Sequence, residues 1–114
     1  EIEGPGKIKR TRGPVPWERG RLIGAPSGYH LFDSLAVDGA GNVCVGSLPN
    51  AIAVFSPDGK SEESIEMPDL FPTNICFGGP DLKTAFITLS NTGRLVAMDW
   101  PRPGLALHFL NPKA

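Results

Sequence analysis

The sequence predicts an all-β fold made of four-stranded antiparallel sheets, and three observations carry that prediction. Short apolar runs of Val, Ile, Leu and Phe are punctuated by Gly and Pro, of which the 114 residues hold 14 and 12. No segment shows a convincing helical period. The pattern also repeats. Phe32-Asp33-Ser34-Leu35-Ala36-Val37-Asp38 returns about 40 residues later as Pro72-Thr73-Asn74-Ile75-Cys76-Phe77-Gly78, and a period of that size marks stacked structural units.

The elements follow in order. Residues 1–20 are rich in Gly, Pro and Arg and carry only isolated apolar anchors, Ile2, Ile8, Val15 and Trp17. They read as an irregular N-terminal segment with at most one short strand at residues 7–9. Residues 21–25 read as a strand closed by Gly24, Pro26 and Gly28. An apolar inner strand at 34–38 leads into the Gly39-Ala40-Gly41-Asn42 turn, where Gly and Asn supply positive φ. Strands at 43–47 and 51–56 flank the Leu48-Pro49-Asn50 turn. Pro57-Asp58-Gly59-Lys60 is the clearest turn, with Pro suited to an early position and Gly to a late one. The next strand, at 64–67, is more polar, with Ser64 and Glu66 alternating with Ile65 and Met67. The order then restarts with strands at 73–77, 84–89, 94–99 and 105–109.

Four antiparallel strands, apolar at the inside and polar at the outside, describe one β-propeller blade. The internal matches agree with this. Leu35, Ala36 and Val37 align with Ile75, Cys76 and Phe77, Cys44 with Phe86, and residues 52–55 with 95–98. Even the lead-in repeats, residues 21–26 corresponding to 63–68. Residues 21–114 therefore read as about two blades, the C-terminal part of a larger propeller, because a propeller closes with at least about four. The expected partner is the remainder of that propeller, as an upstream segment or a second chain. The other expectation is a homo-oligomer, such as a trimer of two-blade units.

Composition excludes several classes. A net charge of −1 without a basic patch gives no reason to expect nucleic acid. The apolar stretches are strand-sized, so no membrane span is expected. Glu1-Ile2-Glu3-Gly4-Pro5-Gly6 is not a signal peptide. Cys44 and Cys76 both fall inside apolar strand patterns and read as buried reduced thiols, which fits a cytoplasmic location. Lys7, Lys9, Arg10 and Arg12 are offset by Glu and read as a solvated face. No Gly-x-Ser-x-Gly elbow supports a serine hydrolase, and Gly78-Gly79-Pro80 lacks the strand-loop-helix setting of a phosphate cradle.

Three motifs, in order and at blade spacing, resemble one family. They are Asp33-Ser34-Leu35-Ala36-Val37-Asp38-Gly39-Ala40-Gly41-Asn42-Val43, Phe55-Ser56-Pro57-Asp58-Gly59-Lys60 and Pro72-Thr73-Asn74-Ile75-Cys76-Phe77-Gly78-Gly79-Pro80-Asp81. Together they resemble the senescence-marker-protein / gluconolactonase / luciferin-regenerating-enzyme family, over residues 21–109. The resemblance implies a six-bladed propeller with one divalent metal in its central channel and a hydrolase acting on sugar lactones or related esters. Calcium or zinc is the first expectation, magnesium or manganese the second. It also implies that Asp33, the match to an Asp opening a late inner strand, is both a metal ligand and the general base. Ser34 stands where the family usually has Gly. The family's Glu and Asn ligands, and its substrate-binding Arg, have no counterpart here and would lie upstream of Glu1.

The residues themselves suit such a role. A carboxylate is a hard oxygen donor for Ca²⁺, Mg²⁺ or Mn²⁺ and can take a proton from an attacking water; alternatively, Asp33 caps the turn into its strand. If Asp33 lies at the channel mouth, the turns at 48–50 and 90–93 and the loops at 28–32 and 70–73 share its rim. Tyr29, His30, Phe71 and Asn74 are then the candidates to line a substrate pocket, against ordinary loop packing for each. Asp38 and Asp58 read as turn formers. The leading expectation is a piece of a lactonase-like hydrolase, inactive by itself. The other is a non-catalytic propeller fragment that acts as a self-assembling or binding module through its open blade faces.

Overall fold

The computed structural model describes residues 2–8, 22–108 and 110. Nine strands occur there, and no helix does: β1 (Ile2–Gly4), β2 (Lys7–Ile8), β3 (Leu31–Val37), β4 (Val43–Leu48), β5 (Ala51–Phe55), β6 (Glu62–Glu66), β7 (Pro72–Gly78), β8 (Thr84–Leu89) and β9 (Arg94–Asp99). They form a β1-β2 hairpin, a first sheet in the order β3-β4-β5-β6 and a second in the order β7-β8-β9, every pairing antiparallel. Among the described residues no helix is long and apolar enough to cross a membrane.

Each sheet is a run of consecutive hairpins, as the turn residues require. The β3-β4 turn is held by Asp38, whose carboxylate accepts hydrogen bonds from Ala40 N at 3.0 Å, Asn42 N at 2.9 Å and Asn42 Nδ2 at 2.8 Å. The left-handed bend falls on Gly41, at φ 84°, where a side chain would be strained. In the β5-β6 turn Asp58 does the same for Ser56 Oγ and Lys60 N. Both carboxyls are held below their ordinary range. At Asp38, desolvation by burial works the other way and is outweighed by the bonds from Asn42, Arg102 and Ala40; at Asp58, the Ser56 hydroxyl is the main cause.

The core lies between the two sheets. Register places Ala36, Cys44 and Val54 in one row of the first sheet. Ile75, Ile87 and Val96 form a row of the second, followed by Phe77, Ala85 and Met98. These faces meet in one apolar cluster together with Ile52, Met67, Leu89 and Trp100. Ile52 and Ile87 are fully buried, and each such side chain contributes about 1.5–3 kcal/mol. Gly46 sets the approach of the sheets. A Cβ there would lie 2.6 Å from the Pro72 carbonyl oxygen, so the start of β7 fits against β4 only because position 46 lacks one.

Four sequence expectations are corrected. Residues 22–25 form no strand. They run as an extended coil in which Gly24 packs on the Phe55 ring, and Arg21 lies outside the described residues. Residues 105–108 form no strand either, and Phe109 lies outside the described residues. The chain instead bridges Gly104 to Asp38 and bonds Leu105 N to the Val37 carbonyl, which draws it across to the first sheet. Where one short strand was expected near residues 7–9, a β1-β2 hairpin forms, and Lys9 itself lies outside the described residues with the rest of 9–21. Finally, Cys44 is buried as expected, but Cys76, on the face of the second sheet turned away from the first, is exposed.

Candidate functional site

Asp33 sits on a β-bulge. β3 and β4 pair Phe32 with Ser47 and Leu35 with Val45, so three steps along β3 match two along β4, and Asp33 and Ser34 lie in the extra length. The second sheet repeats the device. Pro72 pairs with Leu89 and Asn74 with Thr88, leaving Thr73 as the extra residue. Under the repeat, Thr73 is the counterpart of Asp33. Bulges re-aim a side chain and cluster beside functional sites, and here both open an inner strand at the same point.

The Asp33 carboxylate is exposed, and the hydrogen bond recorded for it comes from Ser34 Oγ at 3.4 Å. The inner strand was expected to be buried; β3 is exposed from Leu31 to Leu35, with Leu35 56 % accessible. Thr73 is spoken for. Its hydroxyl lies 2.9 Å from Thr88 Oγ1 and 2.8 Å from Ser90 Oγ, a row of three hydroxyls.

The rim is assembled by backbone bonds. Asn50 N donates to the Leu70 carbonyl, Met67 N to that of Asn50, and Ser90 N to that of Phe71. These join the β4-β5 turn, the loop into β7 and the β8-β9 turn at one end of the sheets. Asp69 reinforces the loop, accepting from Phe71 N at 2.7 Å, from Thr92 N at 2.9 Å and from the Thr92 hydroxyl. Burial works against its charge, but the Thr92 hydroxyl and the backbone donors Phe71 N, Thr92 N and Asn91 N, the last at 3.3 Å, outweigh that and hold the carboxyl below its usual range. Nothing in the sequence beyond a Pro-Asp turn signal marked Asp69 for this part.

The other predicted residues take different places. Tyr29 is 78 % exposed on the loop entering β3, and Phe71 is exposed on the loop entering β7. Asn74 is exposed, and its Oδ1 accepts from Ile75 N at 2.8 Å, which secures its own strand. His30, a candidate for the pocket, has two partners. Its Nε2 lies 3.1 Å from the Ser27 carbonyl oxygen, and its Nδ1 lies 3.0 Å from the hydroxyl of fully buried Ser47. A carbonyl only accepts, so Nε2 carries the proton, and in the neutral ring Nδ1 accepts from Ser47. His30 thus ties the entry loop to the end of β4. An open groove of about 310 Å³ runs along the β8-β9 turn, lined by Thr88, Leu89, Ser90, Gly93, Arg94 and Leu95; none of the five predicted site residues lines it.

Three acidic, histidine or cysteine side chains do not converge anywhere among the described residues. A calcium site takes 6–8 oxygen ligands and a zinc site four donors. Asp33 offers one carboxylate with a hydroxyl beside it, so the described residues do not make a metal centre by themselves.

At the opposite end, Asp38, fully buried, accepts from Arg102 Nε at 2.8 Å, and Arg102 Nη2 reaches Glu63 at 2.9 Å. This network links the first sheet to the segment after β9. It is structural: the rim with Asp33 lies at the other end of β3.

A family model described as SMP-30/Gluconolactonase/LRE-like region matches residues 9–91, which include all five predicted site residues. Among curated proteins, a 6-deoxy-6-sulfogluconolactonase of Pseudomonas putida is 38% identical over 77 residues, 63% of this chain and 26% of that protein. The chain thus spans about a quarter of the length of this curated relative.

Proposed function

Because this chain belongs to the SMP-30/gluconolactonase/LRE-like family, we propose that it is part of a lactonase-like hydrolase that opens a sugar lactone or a related ester. The observation that carries this reading is Asp33, an exposed carboxylate re-aimed by a bulge at the opening of an inner strand, inside the stretch that matches the family. The activity named for the Pseudomonas relative favours a gluconolactone-type substrate.

In this reading Asp33 acts as general base. An exposed carboxylate without a cationic partner among the described residues is free to accept a proton from water attacking the lactone carbonyl. The ring-opened product leaves as a hydroxy acid, its alkoxide having taken up a proton. Tyr29 and Phe71, on the two loops of the same rim, offer apolar surface to a sugar ring, and His30 holds the Tyr29 loop in place. A divalent cation, calcium or zinc first and magnesium or manganese next, would take one oxygen from Asp33 and its remaining ligands from outside the described residues. Those further ligands would complete the site.

The test is a chimera in which the matched stretch of the Pseudomonas relative is replaced by its counterpart here, assayed for lactone opening by proton release. Asp33→Asn in that chimera should lower kcat by about 10²–10⁴-fold with the fold intact. Undiminished turnover in the variant would remove Asp33 from the chemistry and the reading with it.

A further inference from the structure

The groove of about 310 Å³ beside the β8-β9 turn holds none of the residues proposed for lactone opening. It opens where the rim meets the bare outer face of the second sheet, on which Thr88 pairs with Leu95. Its lining divides by chemistry. Leu89 and Leu95 are apolar, Thr88 and Ser90 bring hydroxyls, and Arg94 brings a guanidinium.

Arg94 is held from one side. Its Nε donates to Thr92 Oγ1 at 2.9 Å, and the Thr92 hydroxyl in turn donates to the Asp69 carboxylate. Asp69 is buried and also takes backbone donors from Phe71, Asn91 and Thr92. This chain of bonds fixes the guanidinium at Nε and leaves its two terminal nitrogens unengaged. Among the described residues no carboxylate pairs with Arg94, whereas Lys60 has Asp58 and Arg102 has Asp38 and Glu63. An anchored guanidinium without an acidic partner suits an oxyanion, which it can hold through two parallel bonds.

The hydroxyls add a donor. Thr73 lies between Thr88 and Ser90, at 2.9 Å and 2.8 Å. When Thr73 donates to one neighbour and accepts from the other, the spare hydrogen sits at an end of the row. Both ends line the groove. The middle residue, Thr73, is the bulge counterpart of Asp33, so the groove and the proposed base open on the same rim.

We propose that this groove is an anion-binding subsite that takes the oxyanion group of an acidic sugar, with Arg94 as its main contact and the hydroxyl row as its second. Leu95, 69 % accessible, offers apolar surface to the sugar carbons. The inference deepens the lactonase reading by naming an acidic substrate class, and only that class rests on it; the binding itself needs no turnover.

The test is therefore a titration. The uniformly nitrogen-labelled chain receives glucose 6-phosphate, inorganic phosphate or glucose, and the Arg94 Nε–H and the Thr88 and Ser90 backbone N–H resonances are followed. Glucose 6-phosphate should shift them saturably, and glucose should not. Arg94→Gln should weaken the binding by on the order of 10-fold or more with an unchanged circular dichroism spectrum, Arg94→Lys should recover part of it, and Thr88→Val should weaken it less. Unmoved resonances, or equal affinity in Arg94→Gln, overturn the site. Inorganic phosphate bound as tightly as the sugar phosphate overturns the assignment to an acidic sugar and leaves a site for the free anion. Calorimetry on the folded chimera with the Pseudomonas relative should find the same binding; its loss there overturns the inference, because the groove would be closed in the longer protein. Asp33→Asn should leave the binding unchanged, so a failure of the lactonase reading and a failure of this subsite are separate results.

Discussion

Cys44 and Phe86 occupy the same position of the repeat; one is wholly buried against the second sheet and the other is 37 % accessible. The same holds at the edges. β5 is paired by the polar strand β6, whereas β9, its counterpart, is an edge of a three-stranded sheet. The difference lies in what each sheet has beside it more than in its own residues. Apolar alternation specifies a face, and burial requires a neighbour. The second sheet is therefore well ordered from its inner face alone, through Ile75, Ile87 and Leu89, and it carries an outer face ready for contact.

Adjacent residues of β8 sharpen that comparison most. Ile87 is fully buried between the sheets and Phe86 points to the bare face. Ile87→Ala should destabilise the chain by about 2–5 kcal/mol through lost burial and the cavity left behind. Phe86→Ser should cost about 1 kcal/mol or less. Urea unfolding followed by circular dichroism reads both. Equal losses would mean that the outer face is also covered in the isolated chain.

Asp38 gives the next largest effect. Its carboxylate is fully buried and bonded to Asn42 and to the Arg102 guanidinium, which is 30 % accessible. Asp38→Asn should cost about 2–3 kcal/mol at neutral pH, less than breaking a wholly buried pair because Arg102 keeps contact with water and with Glu63. The folded carboxyl titrates below the ordinary 3.8, so the unfolded chain binds the extra proton first. The stability from Asp38 is thus present above about pH 5 and is lost as pH falls through 3.8 toward the folded value. Asp69, also lowered, shifts stability in the same direction, so the variant should flatten this acid limb without removing it. An unchanged limb would show that the buried pair does not form in solution.

Much of this was legible in the sequence, and the misses share a cause. The six strands from 43 to 99 that lie at the centre of the hairpins came from short apolar runs and from turns such as Pro57-Asp58-Gly59-Lys60, which are local signals. The expected strands at 21–25 and 105–109 rested on the same kind of short apolar run, but strand formation needs a partner edge. Gly24 is drawn onto Phe55 and Gly104 onto Asp38 instead. Asp33 was singled out as a candidate through its resemblance to the family. Its bulge was not, since an extra residue shows only when two strands are paired. The partners of His30, 3 and 17 residues away, and the Asp38–Arg102 pair, 64 apart, left no local trace.

The smallest expected effect concerns Asp33 itself, and it separates function from stability. Asp38 and Asp33 are two carboxylates on the chain of one inner strand. Asp38 is buried with several donors, and Asp33 is exposed with a 3.4 Å contact to Ser34. Removing the Asp33 charge should therefore change stability by no more than about 0.5 kcal/mol. Asp33→Asn and Asp38→Asn, unfolded side by side in urea at pH 7, form the comparison. A loss at Asp33 as large as that at Asp38 would assign its carboxylate to holding the bulge. A loss near zero leaves an acidic group placed at the rim that the fold does not need, as expected of a residue kept for chemistry rather than for packing.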